Sequence, residues 1–265
     1  MIGQNELIRE LNKINTIEEL PKSIIICGKN GSGKHIFANM IAEKFMFETE
    51  VIDYELSLEI LNELYTLTRP KLFIIDNEAL KANKRIERFQ NTLLKFIEEP
   101  PAFAWIILIT MDKYSLLETI QNRCQIFETS PYTLEELQEI AKLNHKAFND
   151  VQLEILETPG RIIETSEEDI HTIYGLCELI LDNISKATPS NALTITKKFD
   201  IYNIDLFISV FSYVICQRIL YGTFDKRYEQ ILEITRNLDK NLQVMNVNKT
   251  DLLDNYFLRI KQILS

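Results

Sequence analysis

Residues 23–35, SIIICGKNGSGKH, place a short apolar run directly before a glycine-rich loop. The β-branched run 23–28 predicts a buried strand of a parallel sheet. Residues 28–34 follow the phosphate-binding pattern G-x-x-x-x-G-K, and residues 36–45 then carry apolar side chains at helical spacing. The order of strand, loop and helix predicts a phosphate-loop fold. The predicted phosphate contacts are Gly28, Asn30, Gly31, Ser32, Gly33 and Lys34.

The last position of this loop departs from the pattern. His35 stands where the pattern has Ser or Thr, whose hydroxyl binds Mg²⁺. A neutral imidazole is a poorer Mg²⁺ ligand than oxygen. Two interpretations stay open for His35: an unusual residue in a working nucleotide site, or a side chain that fills space under a loop without catalysis.

Further apolar runs alternate with helical patterns up to residue 127. Residues 71–76, KLFIID, predict a second buried strand, whose last residue, Asp76, is placed to hold Mg²⁺ through water. Residues 103–110, FAWIILIT, predict a third strand, and residues 56–68 have a helical pattern between the loop and the second strand. This alternation predicts a doubly wound α/β domain with a parallel sheet.

Composition limits the classes of function that fit the chain. Gly and Pro are scarce, at 7 each in 265 residues, which favours helix, and everything beyond residue 166 has a helical period. The net charge is −10, so any contact with nucleic acid has to be local or shared with other subunits. The four cysteines lack C-x-x-C spacing, which predicts reduced thiols in a reducing cytoplasm. No apolar run reaches the roughly 18 residues of a membrane span.

Residues 89–127 carry a more specific pattern, in which N-x-L-L-K-x-x-E-E-P-P precedes a predicted strand and then Arg123–Cys124. This stretch resembles the bacterial clamp-loader subunits of the AAA+ family, which belong to DNA polymerase III. In that family, the helix after the strand ends in Ser-Arg-Cys. The opening Ile2–Gly3–Gln4 resembles the family's segment beside the adenine pocket. Residues 130–142 resemble the start of its lid domain.

The resemblance implies a division of the chain into three parts. These are an AAA+ nucleotide-binding domain over 1–130, a helical lid over 131–165 and an all-α collar over 166–265 that holds subunits in a ring. It implies ATP and Mg²⁺ as ligands. It implies other AAA+ subunits, a sliding clamp and primer–template DNA as partners in the cytoplasm.

Several positions resemble the delta-prime subunit more than the family's ATP-hydrolysing motors. His35 replaces the Mg²⁺-binding hydroxyl, and Asn77 replaces the glutamate that orients the attacking water. An amide cannot take a proton. Met111 falls at the polar sensor position, where a shift of one residue in the alignment would put Thr110 instead. ATP hydrolysis by this chain itself therefore stays open.

The resemblance also implies a residue that acts on a neighbouring subunit. Arg123 matches the arginine of Ser-Arg-Cys, which in the family stabilises charge on the neighbour's ATP as an arginine finger. The lid segment 158–163, TPGRII, resembles the delta-prime form, and its Arg161 reaches a phosphate or points elsewhere. A weakened pocket with a retained finger is what a delta-prime-like subunit needs.

The basic segment 80–95 is a candidate DNA contact. In clamp loaders this region faces the central chamber, so Lys84, Arg85 and Arg88 are predicted to contact DNA phosphates without sequence specificity. A solvated helix face is the other interpretation.

Two other functions stay open beside the delta-prime-like one. The chain could be an active ATPase motor of a clamp loader, including a homo-oligomeric one, with His35 and Asn77 as tolerated variants. It could also be another AAA+ protein that uses ATP as a switch in DNA repair, although the N-L-L-K, E-E-P-P and Arg-Cys combination over 89–127 would be absent from such a protein.

Overall fold

The computed structural model divides the chain into two compact units. The first unit comprises Met1–Ile140 and Thr158–Arg161, and the second comprises Ala141–Glu157 and Ile162–Ser265. The three-part division at residues 130 and 165 stays a prediction. The structure describes residues 2–52, 65–76, 93–188, 204–222, 225–242 and 248–265.

Five parallel strands form one sheet in the described part of the first unit. Their order across the sheet is β2-β3-β4-β1-β5. The predicted doubly wound α/β fold is confirmed, as are the strands predicted at 23–28, 71–76 and 103–110. The strands are β1 (Ser23–Cys27), β2 (Glu48–Ile52), β3 (Lys71–Asp76), β4 (Ala104–Thr110) and β5 (Gln125–Glu128).

The sheet is covered on both faces. Along β1, Ile24 and Ile26 belong to one apolar cluster, whereas Ile25 and Cys27 belong to another. Alternate residues of a strand point to opposite faces, so a strand that is buried on both faces is apolar throughout. The cluster around Ile24 and Ile26 is closed by Leu7, Leu11, Phe37, Ala38 and Ile41.

The helices have the following bounds in chain order. They are α1 (Asn5–Lys13), α2 (Lys34–Lys44), α3 (Glu118–Gln121), α4 (Leu134–Leu143), α5 (Asp150–Leu156), α6 (Pro159–Glu164), α7 (Glu167–Asn183), α8 (Ile204–Tyr221), α9 (Lys226–Leu242) and α10 (Lys249–Leu264). Residues 93–98 are also helical, and most of the helix predicted at 56–68 lies outside the described residues. The helical spacing of Ile36, Met40, Ile41 and Phe45 predicts that they share a buried face of α2, but Ile36 is 54% exposed and Phe37 is buried instead.

The only tryptophan of the chain anchors the start of β4. The indole Nε1 of Trp105 donates a hydrogen bond to the Leu20 carbonyl at 3.3 Å. The ammonium of Lys22 lies 3.1 Å from the ring centroid and donates to the Ala102 carbonyl at 2.6 Å. A cation over an indole face is attracted by the ring quadrupole, so Lys22 and Trp105 stabilise each other.

The second unit is helical and has an aromatic core. The rings of Phe207 and Phe211 stack at 5.2 Å between centroids, and Phe257 lies 6.0 Å from Phe207. The hydroxyl groups of Thr235 and Tyr256 share a buried hydrogen bond of 2.7 Å. This polar pair is satisfied inside the core, as a buried hydroxyl must be to avoid a desolvation cost.

One helix in the described part of the chain, α8, has the length and composition of a membrane span. The sequence analysis found no apolar run as long as a membrane span, because a few polar residues interrupt the apolar residues of α8. Phe207, Phe211 and Val214 of this helix are fully buried among neighbouring helices. We interpret α8 as the core helix of the second unit, since a buried core helix has the same composition.

The cysteines are free thiols, as predicted. Cys27 and Cys177 are buried, and Cys124 and Cys216 are partly buried. Burial raises the pKa of Cys27 to about 11 and that of Cys124 to about 12. These two thiols are therefore protonated and unreactive at neutral pH, because the thiolate is the reactive form.

We expect the substitution Gly175→Ala to stabilise the second unit. Gly175 lies within α7, and a Cβ added to it would meet no heavy atom within 4 Å. Alanine loses less backbone entropy on folding, so the free energy of unfolding should rise by about 0.5–1 kcal/mol. Urea denaturation followed by far-UV circular dichroism measures this change, and a destabilised variant would contradict the open environment of Gly175.

Candidate functional site

The predicted phosphate-binding loop lies between β1 and α2, at the carboxyl edge of the sheet. Its glycines Gly28, Gly31 and Gly33 have positive φ angles of 151°, 74° and 91°. Gly33 is the N-cap of α2, so the loop leads directly into the positive end of the helix dipole. The loop backbone therefore fits a phosphate group.

The side chain of Lys34 folds back over this loop. It is 6% exposed, and its ammonium donates to the carbonyls of Gly28 at 2.7 Å and Lys29 at 2.8 Å. These bonds hold the loop curved around a buried positive charge. A phosphate oxygen can exchange for a carbonyl here, because a charged acceptor makes the stronger bond with an ammonium group.

His35 and Asp76 contact each other across the start of α2 and the end of β3. The imidazole Nε2 of His35 lies 3.1 Å from Oδ2 of Asp76. An ionised carboxylate only accepts hydrogen bonds, so the imidazole N–H donates. The His35 side chain is 57% exposed, and so it does not fill space under the loop.

This contact bears on the Mg²⁺ that the loop pattern implies. Mg²⁺ takes near-octahedral oxygen ligands, whereas this position presents an imidazole and a carboxylate that already accepts a hydrogen bond. The side chains present therefore do not fit Mg²⁺ as the pattern implies. Among the described residues, no group of three or more His, Cys, Asp or Glu side chains could hold a metal ion. Mg²⁺ at Asp76 stays a prediction that this contact does not favour.

Thr110 and Met111, the two sensor candidates, lie at the end of β4 beside the loop. The Thr110 side chain is fully buried, and its hydroxyl donates to the Asp112 carbonyl at 3.0 Å and bonds the Ser115 hydroxyl at 2.9 Å. The Thr110 carbonyl accepts from the N–H of Gly28 at 3.2 Å. Thr110 thus fixes the start of the loop through its backbone. Met111 is partly exposed, and its role as a sensor residue stays a prediction.

The segment after β5 contacts the loop in a way that the sequence did not indicate. The hydroxyl of Tyr132 donates to the Ser32 carbonyl at 2.9 Å, and the Thr129 hydroxyl donates to the Ser32 hydroxyl at 3.0 Å. Burial raises the pKa of Tyr132, which keeps its hydroxyl protonated and able to donate. A Cβ on Gly3 would lie 2.8 Å from the Tyr132 ring. Gly3 and the partly buried Ile2 thus lie near the segment that contacts the loop.

The segment 158–161 contacts the loop apex through its backbone. The N–H of Gly160 donates to the Gly31 carbonyl at 2.9 Å. A Cβ on Gly160 would lie 2.5 Å from the Gly31 Cα, so only glycine fits. The buried Thr158 hydroxyl has no hydrogen-bond partner among the described residues, and the partly exposed Arg161 ends the segment. A phosphate contact by Arg161 stays a prediction.

Arg123 lies between α3 and β5, and its side chain is 43% exposed. Its guanidinium forms an ion pair with Glu98 at 3.2 Å and donates to the Thr119 carbonyl at 3.0 Å. An ion pair this exposed contributes only about 0–1 kcal/mol, so the guanidinium can leave it at little cost. The other predicted site residues, Asn77, Lys84, Arg85 and Arg88, lie outside the described residues.

Known proteins resemble this chain in sequence and in fold. A family model described as DNA polymerase III, delta subunit, matches residues 50–133. The DNA polymerase III subunit gamma of Buchnera aphidicola subsp. Schizaphis graminum is 23% identical over 59% of this chain and 52% of its own length. The gamma/tau subunit of Mycoplasma genitalium is 27% identical over 77% of this chain and 38% of its own length. The chain therefore spans about half or less of these relatives.

A solved structure matches the fold over nearly the whole chain. It is the RuvB Holliday junction branch migration motor of Thermotoga maritima, with a TM-score of 0.51 and 20% identity over 97% of this chain and 88% of that one. At this identity the likeness is one of fold. The family model, which covers the Glu-Glu-Pro-Pro and Arg-Cys region, and the gamma-type relatives show that this chain is similar in sequence to DNA polymerase III subunits of the clamp-loader type.

Proposed function

We propose that this chain is a delta-prime-like subunit of a clamp loader, active in DNA replication in the cytoplasm. In this proposal it binds ATP at the loop between β1 and α2 but hydrolyses little of it. Arg123 serves the ATP of a neighbouring AAA+ subunit in a ring. The assembly loads a sliding clamp on primer–template DNA, which Lys84, Arg85 and Arg88 help to hold.

The contact between His35 and Asp76 is the observation that carries this proposal. Hydrolysis in this fold class depends on a metal ion and on a positioned water. Here the carboxylate that would hold the metal's water accepts a hydrogen bond from His35 instead. Among the described residues, the predicted phosphate-binding loop is thus formed, whereas His35 and Asp76 do not present the usual Mg²⁺ ligands, which supports a subunit that acts through Arg123.

An active motor is the second candidate, and the geometry of the loop is compatible with it because both candidates bind ATP. Lys34 is buried against the loop, and Gly33 caps α2, as binding of a phosphate requires. The similarity to RuvB concerns the fold and supports no role in DNA repair.

Hydrolysis of ATP by the purified chain separates the two candidates. We expect the chain to bind ATP but to hydrolyse it no faster than a Lys34→Ala variant does. Both are measured at protein concentrations that permit self-association. Turnover that disappears in Lys34→Ala would instead establish a motor with tolerated substitutions at His35 and Asn77.

We expect Lys34→Ala to weaken nucleotide binding by about 10- to 100-fold, the value of one lost charge-assisted hydrogen bond. The reason is that the ammonium lies inside the loop, 2.7 Å from the Gly28 carbonyl. Isothermal titration calorimetry with ADP measures the affinity. The exposed Lys13, at the end of α1, provides the control Lys13→Ala, which should bind like the natural protein. Equal affinity in both variants would show that the nucleotide binds elsewhere.

A further inference from the structure

The pair formed by His35 and Asp76 has a consequence for how the loop holds phosphate. His35 is the second residue of α2, and its imidazole reaches the last residue of β3 at 3.1 Å. In the phosphate-loop pattern the hydroxyl at this position binds Mg²⁺. The carboxylate is therefore paired with an imidazole N–H at the place where the pattern has a metal.

A metal ion bound through Oδ2 of Asp76 would break an existing contact. Mg²⁺ at this oxygen would displace the hydrogen bond from His35 and would gain a nitrogen neighbour, although it prefers oxygen. The pair is not sealed from ligands, because 57% of the His35 and 24% of the Asp76 side-chain surface is exposed. The pair is thus accessible, and its ligand set disfavours the metal.

The remaining groups of the loop can bind phosphate without a metal. Lys34 supplies a full positive charge, and the N–H groups at the start of α2 supply the positive end of a helix dipole. The imidazole N–H donates a hydrogen bond to the Asp76 carboxylate and so offsets part of its negative charge beside the loop. In this loop, His35 takes over the task of separating phosphate from the carboxylate that Mg²⁺ performs elsewhere.

We propose that this chain binds nucleoside di- and triphosphates independently of Mg²⁺, because His35 holds Asp76 in place of the metal. The inference rests on nucleotide binding, which is part of the proposed function, and adds to it the form of ligand that is bound. The nucleotide enters as the free anion, and its affinity does not follow the concentration of Mg²⁺.

Isothermal titration calorimetry with the non-hydrolysable ATP analogue AMP-PNP, in Mg²⁺ and in EDTA, tests this proposal. For the natural chain the two dissociation constants should agree within about threefold, or roughly 0.6 kcal/mol. The variant His35→Thr restores the hydroxyl of the pattern and frees Asp76 from the imidazole. Its affinity should be at least about tenfold higher in Mg²⁺ than in EDTA.

Two further variants make the test specific. The double variant His35→Thr/Asp76→Asn should lose the Mg²⁺ dependence that His35→Thr gains, because the carboxylate has been removed. His171→Thr, at an exposed histidine of α7, should respond to Mg²⁺ like the natural chain. Circular dichroism of each variant verifies that it is folded.

The possible outcomes separate this inference from the proposed function. Tenfold tighter binding by the natural chain in Mg²⁺ would overturn the inference and leave nucleotide binding intact. A Mg²⁺-independent His35→Thr variant would overturn the role given to His35. No binding by the natural chain in either buffer would overturn nucleotide binding itself, and the inference with it.

Discussion

Arg123→Ala should slow ATP hydrolysis by the proposed clamp-loader assembly by about 10³-fold or more at one ATP site, the one that Arg123 serves if it acts as the proposed finger. The guanidinium is available for this task, since it is 43% exposed and its ion pair with Glu98 is a weak surface contact. Single-turnover hydrolysis by the chain assembled with its motor subunits measures the effect. The fast phase of ATP hydrolysis should lose the amplitude that comes from the affected site, while ATP at the other sites is still hydrolysed in the fast phase.

Two variants separate this effect from a general loss of charge. Arg123→Lys keeps the charge but lacks the planar fork that binds phosphate oxygens in pairs, so it should be nearly as slow as Arg123→Ala. Arg9→Ala removes an exposed arginine of α1 in the same unit and should leave every site fast. A fast phase of unchanged amplitude in Arg123→Ala would refute the finger.

The second large effect should follow from Gly160→Ala. The added Cβ would lie 2.5 Å from the Gly31 Cα, which is backbone and cannot rotate away. Either the loop apex or the segment 158–161 must move, and the hydrogen bond between Gly160 and Gly31 lengthens or breaks. We expect a loss of about 1–3 kcal/mol in the free energy of unfolding, together with weaker ADP binding.

Gly175→Ala is the matched control for this prediction. The chemical change is the same, but its environment is open, and its effect on stability should have the opposite sign. Urea denaturation gives the stability and calorimetry gives the affinity. A Gly160→Ala variant as stable and as tightly binding as the natural chain would mean that Gly31 and Gly160 do not meet in solution.

The strands that could be predicted from sequence are those buried on both faces. β1 and β4 are buried along their whole length and are apolar apart from Ser23 and Thr110, and β3 is apolar between its two ends. β2, with the sequence ETEVI, lies at an edge of the sheet and carries an exposed Glu48 and a partly buried Glu50, and so it has no continuous apolar signal. β5 has four residues, which is too short for an alternating pattern to be recognised.

The candidate site follows the same logic. The loop between β1 and α2 could be predicted because its residues are contiguous in sequence and follow the G-x-x-x-x-G-K pattern. The pairing of His35 with Asp76 could not, since it joins two segments whose approach depends on the order of strands in the sheet. The same holds for Tyr132 on Ser32 and for Gly160 on Gly31, where a side chain or backbone from a distant segment supports the loop.

Because the single tryptophan lies in the first unit, its fluorescence allows unfolding of that unit to be followed separately. Trp105 is 4% exposed within the sheet of the first unit, and Lys22 covers its ring. Its fluorescence emission therefore reports unfolding of that unit alone, while the second unit contributes only tyrosine emission and helical signal. Denaturation can be followed by tryptophan fluorescence and by the far-UV circular dichroism of the helices. The two curves will coincide if the units unfold together and will separate if the units unfold at different denaturant concentrations. The chain thus carries an intrinsic probe that assigns the effect of any substitution to one unit without a label.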